Sequence, residues 1–128
     1  MKKLNIKTDK LLKEFINLHP KYIDLTLKRL EYLLKKLGNP HKKLPPTIHI
    51  AGTNGKGSTL SFIKNILENN GYSIHAYTSP HLETFNERII IKNKQVSPIN
   101  LLKSLEYVKK INDNCPITFF EITTAAAF

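Results

Sequence analysis

Thr47-Ile48-His49-Ile50-Ala51-Gly52-Thr53-Asn54-Gly55-Lys56-Gly57-Ser58-Thr59 is the stretch that decides the fold. A short β run, 47–51, enters a glycine loop. Helix signals resume from Ser58, with Leu60, Ile63, Ile66 and Leu67 on one face. Asn69-Asn70-Gly71 ends that helix, and Tyr72 to Tyr77 is the next strand. Strand, glycine loop, helix and strand in this order open a parallel α/β sheet flanked by helices.

The loop chemistry points to phosphate. Gly52, Gly55 and Gly57 let the backbone turn tightly and aim N–H groups inward. The helix that follows directs its positive end at the same spot. Lys56 reaches β- and γ-phosphate oxygens and neutralises charge there. The candidate ATP-binding set is therefore Gly52, Thr53, Asn54, Gly55, Lys56, Gly57 and Ser58, with Lys56 the catalytic candidate. The loop departs from the common P-loop, which places four residues between its first glycine and the Gly-Lys pair. Only Thr53 and Asn54 stand there. Gly57 follows the lysine, so no hydroxyl occupies the usual magnesium position, and the ion needs a ligand from elsewhere.

Upstream, Leu11, Leu12, Phe15, Ile16 and Leu18 predict an amphipathic helix closed near His19-Pro20. Ile23, Leu27, Leu30, Leu34 and Leu37 predict a second, stopped by Gly38-Asn39-Pro40, and 42–46 reads as a stiff linker. Downstream, 78–86 is a polar loop. Arg88 to Lys92 and Gln95-Val96 bracket Asn93-Lys94 as a hairpin. Ser97-Pro98 starts a helix to about Lys110, and Thr118-Phe119-Phe120-Glu121 is a capping-box pattern ahead of a last apolar helix.

Three blocks together resemble one family. They are the loop 52–58; Tyr77-Thr78-Ser79-Pro80-His81-Leu82 with Phe85-Asn86-Glu87-Arg88-Ile89; and Phe119 to Phe128. They are similar, in the same order, to folylpolyglutamate synthase and dihydrofolate synthase of the Mur ligase superfamily. Mur-type cell-wall ligases usually carry threonine after the loop lysine, and Gly57 argues against that branch. The resemblance implies a P-loop-containing, Mur-ligase-like central domain that is incomplete. Residues 1–46 would be a helical segment and linker, 47–128 the start of the ATP-binding domain, and the C-terminal domain would be absent. It implies ATP and Mg2+ as cofactors. The substrates would be ATP, L-glutamate and a dihydropteroate or folate, whose carboxylate is phosphorylated and then attacked by the glutamate amine. It implies a monomer when full length.

By position, Ser79 aligns with a magnesium-binding hydroxyl; its alternative role is a turn former before Pro80. Asp24 and Leu25 align with a dihydropteroate contact, and Asp24 serves equally well as a helix N-cap. Thr118 aligns with another pterin contact, beside its capping-box role. Glu87 and Arg88 read as a pair that braces their loop. His81 reads as a solvated loop residue, and His49 and His75 as packed or hydrogen-bonded strand residues.

The bulk properties bound these readings. One cysteine, Cys115, allows no internal disulfide and suits a cytoplasmic protein. No run approaches membrane-spanning length, and Met1-Lys2-Lys3 is followed by no apolar signal core. A net charge of +10 suggests an anionic partner, but with only Arg29 and Arg88 as arginines a specific nucleic-acid surface is disfavoured. Histidines and cysteine show no zinc-ligand spacing. The apolar ending Thr123 to Phe128 carries no helix stop, which suggests an N-terminal piece of a longer protein. A fragment of this kind would be inactive alone. The competing reading is a non-catalytic nucleotide-binding remnant.

Overall fold

The computed structural model describes residues 2–19 and 26–128. The chain divides into two compact units, Met1–Pro45 with Pro98–Phe128, and Pro46–Ser97.

The first unit is helical, with α1 (Lys2–Ile16), α2 (Lys28–Lys36), α4 (Pro98–Asn112) and α5 (Phe119–Ala127); α3 (Lys56–Asn69) belongs to the other unit. Helical spacing explains its core. Thr8, Leu11 and Phe15 lie on one buried face of α1. Leu33 and Leu34 are the buried residues of α2. Leu101, Leu102, Leu105 and Val108 form the buried stripe of α4. Ile117, Ile122 and Ala125 complete the interior. Helix α4 packs against α1 and α5, and α2 lies against α5. Fully burying a leucine or phenylalanine contributes about 1.5–3 kcal/mol, so these side chains are the main cohesion of the unit. Gly38 and Asn39 end α2 in left-handed conformation at φ +81° and +55°, and Asn39 N–H donates to Leu34 O at 2.8 Å. The expected linker then makes a short 3-10 turn, Pro40–Lys43.

The second unit holds α3 (Lys56–Asn69) and three short strands, β1 (Ala76–Tyr77), β2 (Ile89–Ile91) and β3 (Lys94–Gln95). The strands form an antiparallel sheet in the order β1-β2-β3, with Tyr77 opposite Ile89 and Ile91 opposite Lys94. The hairpin forms as expected, but its turn is Lys92-Asn93, one residue earlier, both at positive φ (+47° and +67°). Asn93 docks the turn on the preceding segment: its N–H donates to Ile74 O at 2.9 Å, and its amide donates to Tyr72 O at 3.3 Å.

Two sequence expectations are not met in this unit. The run 47–51 carries no strand, and 72–77 contracts to two strand residues paired antiparallel with β2. The described sheet contains no parallel pair. A parallel sheet is stable when helices cover it. Here α3 buries none of its residues; Phe62 is 69% exposed, and Ile48 in the supposed strand is 63% exposed. Residues 98–128 cluster with the N-terminal helices.

Candidate functional site

The glycine loop has the backbone its composition demands. Gly52 sits at φ +147° and Gly55 at +78°. Gly55 is the N-cap of α3, and no side chain caps that terminus. The first turn of α3 therefore presents backbone N–H groups to solvent together with the positive end of the helix dipole. Residues 51–59 are all exposed. Lys56 folds back over the loop, its ammonium donating to Gly52 O at 2.6 Å and Thr53 O at 3.3 Å. The cation thus rests on carbonyl oxygens, hard acceptors of the kind phosphate supplies. Gly52, Thr53, Asn54, Gly55, Lys56, Gly57 and Ser58 form one continuous exposed surface at a helix N-terminus, a fitting cradle for an anion.

Ser79 is exposed in the loop directly after β1, in the same unit as the glycine loop. The far side of its loop is braced. Thr84 and Glu87 make a capping box on the 3-10 helix Phe85–Arg88. The Glu87 carboxylate accepts from the N–H groups of Thr84 at 2.6 Å, Leu82 at 2.7 Å and Glu83 at 3.0 Å. The backbone bond from Thr84, then that from Leu82, pulls its pKa down to about 2. Arg88 Nε donates to His81 Nδ1 at 2.8 Å, and its guanidinium lies 5.0 Å from the centre of the Phe85 ring. Glu87 and Arg88 do brace the loop, but each through its own partner and not as a pair. His81 is held rather than merely solvated. The Thr84-x-x-Glu87 spacing was the available signal for the clamp.

Thr118 lies in the other unit, 3% exposed, as the N-cap of α5. Its hydroxyl donates to Glu121 Oε2 at 2.7 Å and accepts from Glu121 N–H at 3.3 Å. One lone pair remains on that oxygen. Glu121 is tied in turn to Arg29 of α2, whose Nε and Nη2 donate to the two carboxylate oxygens at 3.1 and 3.3 Å. Nothing in the sequence signals this pair, which spans 92 positions. Asp24 and Leu25 lie outside the described residues. His49 and His75 are exposed, so the packed alternative of the packed-or-hydrogen-bonded role expected of them is not met.

Among the described residues no three His, Cys, Asp or Glu side chains converge on a metal position. The donors present suit magnesium only in part. An exposed hydroxyl at Ser79 is a hard oxygen ligand, whereas this ion is commonly held by one or two carboxylates together with substrate phosphates. No described helix is long and apolar enough to cross a membrane.

No protein-family model matches the sequence. Curated relatives do. The chain is 41% identical over 109 residues to the dihydrofolate synthase/folylpolyglutamate synthase of Bacillus subtilis, covering 80% of this chain and 25% of that protein. It superimposes on Escherichia coli FolC in complex with DHPP and ADP with a TM-score of 0.80 and 32% identity, covering 94% of this chain and 29% of that one. A bifunctional folylpolyglutamate synthase/dihydrofolate synthase with Mn, AMPPNP and L-glutamate bound gives a TM-score of 0.76 at 29% identity, over 94% and 29% of the two chains. The fold is therefore that of a segment of a Mur-ligase-like protein. Over its matched length the chain is similar to dihydrofolate synthase/folylpolyglutamate synthases, and it spans about a quarter of the length of the curated relative it matches.

Proposed function

We propose that this chain supplies the nucleotide-phosphate site of an ATP-dependent ligase that adds L-glutamate to dihydropteroate, to tetrahydrofolate polyglutamates, or to both. The observation that carries the reading is the uncapped N-terminus of α3 behind a glycine loop, with the Lys56 ammonium already resting on oxygen acceptors. Similarity to proteins named as synthases supports a ligase over a non-catalytic remnant.

In this reading the backbone of Gly52, Thr53, Asn54, Gly55, Gly57 and Ser58 cradles the phosphates. Lys56 exchanges its two carbonyl partners for phosphate oxygens. The γ-phosphoryl group passes to a carboxylate oxygen of the pteroate or folate, leaving ADP. The amine of glutamate then attacks the acyl carbon, the C–O bond to phosphate breaks, and an amide and inorganic phosphate result. Such chemistry needs positioning and charge neutralisation more than a protein nucleophile. Ser79 would hold a magnesium ion, which would supply charge neutralisation for the phosphates. Asp24, Leu25 and Thr118 contact the pterin, Thr118 by accepting one hydrogen bond on its remaining lone pair. In the whole enzyme 47–51 and 72–77 enter a parallel sheet under α3, 1–46 is a helical lead-in, and 47–128 begins the central domain. The location is cytoplasmic and the whole enzyme monomeric.

The test is release of ADP by the protein expressed from its complete gene, with glutamate and either dihydropteroate or tetrahydrofolate. Glutamate-dependent release with one acceptor supports the reading; none with either acceptor overturns it. The 128-residue chain alone is expected to release none.

A further inference from the structure

Ser79 does not set the shape of its own loop. The chain leaves β1 at Tyr77 and is recaptured at Phe85, which is buried together with Ile89. Between these points one residue holds the chain on both sides of Ser79-Pro80. On the near side, Thr78 N–H donates to the backbone carbonyl of Arg88 at 2.8 Å. On the far side, the Arg88 side chain donates from Nε to His81 Nδ1 at 2.8 Å. The guanidinium and the His81 ring both lie against Phe85, at 5.0 and 5.7 Å from its ring centre. A guanidinium is always charged, planar and pre-organised, so it fixes His81 with less entropy loss than a lysine does. Beyond His81 the Glu87 carboxylate takes up the next three backbone N–H groups, so that the rest of the loop is independently tied.

We propose that Arg88 is a positioning residue for the candidate metal ligand Ser79: by holding Thr78 and His81 it keeps the intervening hydroxyl where a divalent cation accompanying the nucleotide is met. This rests on the reading of Ser79 as a magnesium ligand. In this proposal Arg88 acts through Thr78 and His81 rather than on the nucleotide or the metal. Substitution at Arg88 leaves the backbone half of the hold intact and removes the His81 half, so the effect belongs to loop order and metal requirement rather than to folding.

The experiment uses the protein from its complete gene, with two readouts. The first is amide hydrogen exchange of peptides covering 78–84, without nucleotide or metal. The second is the magnesium concentration giving half-maximal glutamate-dependent ADP release. Arg88→Met keeps the stem and removes the donor. It is expected to speed exchange in 78–84 while leaving α3 unchanged, and to raise the magnesium requirement about 10-fold or more, the cost typical of losing support behind a metal ligand. Arg88→Lys is expected to restore part of both. Ser79→Ala raises the magnesium requirement without loosening 81–84, and the double variant is no worse than Ser79→Ala, since both act on one ligand. Unchanged exchange in Arg88→Met overturns the proposal, as does a double variant whose losses add. An unchanged magnesium requirement in Ser79→Ala overturns the metal reading and the proposal with it; a shift in Ser79→Ala but none in Arg88→Met overturns the proposal alone. If Arg88→Met does not fold, His81→Ala removes the acceptor and carries the same expectations.

Discussion

Gly55 and Gly57 stand two positions apart in the loop, yet they are glycine for different reasons. Gly55 sits at φ +78°, where an L side chain is strained. Gly55→Ala is expected to cost about 1–2 kcal/mol in a urea unfolding titration. Gly57 is inside α3, and a Cβ built there meets nothing within 4 Å. Gly57→Ala should stabilise α3 by about 0.5–1 kcal/mol, because alanine loses less entropy in a helix. The same substitution should weaken ADP binding by calorimetry if phosphate approaches the helix backbone there. Glu87 gives the pH counterpart. Its folded pKa of about 2 lies below the ordinary value of 4.5, so its contribution is complete above 4.5 and lost as pH falls through 2. Exchange protection of Leu82–Thr84, corrected for intrinsic rates, should hold from neutral pH to about 4.5 and fade below it. Glu87→Gln should weaken it throughout the range above about pH 4.5, with the difference from the native protein shrinking as pH falls toward 2.

At the scale of the element, the start of α5 is the most legible feature. Thr118 and Glu121 were readable as a capping box from spacing alone, and both reciprocal bonds are present. Thr118→Ala should cost about 1–2 kcal/mol by thermal unfolding, toward the upper end because it also strips a partner from a buried carboxylate. Pro98 at the start of α4 and Gly38 after α2 were equally plain, since caps and stops are written in adjacent residues. Strands 47–51 and 72–77 were not, because a strand exists only through its neighbour, and β1 found its partner in 89–90 instead. The site divides the same way. The exposed loop with Lys56 was visible as a motif, whereas Arg88 on His81 and Arg29 on Glu121 depend on the folded chain. Glu121→Ala should cost at or below the lower end of the roughly 3–5 kcal/mol typical of breaking a buried ion pair, as Arg29 keeps some solvent contact.

Across the whole molecule the two units differ in cohesion. The helical unit closes on buried Phe15, Leu33, Leu101, Leu105, Ile117 and Ile122, and the lysine of Lys109 meets Glu14 across α1 and α4. The other unit has only Phe85 and Ile89 as buried apolar residues, while Phe62, Ile66 and Tyr72 stay exposed. Native-state hydrogen exchange of the 128-residue chain should therefore find α3 opening at a lower free energy than α4; equal protection would contradict this reading of the core. Hydrophobic periodicity revealed which residues could be buried, but it could not say that 98–128 would turn back to 1–45 across an intervening unit.

That arrangement has a consequence for synthesis. Helices α1 and α2 leave the ribosome first, but their packing partners α4 and α5 follow only after 46–97 have been made. At about 5–20 residues per second, the apolar faces around Phe15 and Leu33 wait on the order of seconds for cover. For that interval the nascent chain is a natural client for a chaperone, and translation pauses within 46–97 would lengthen its exposure.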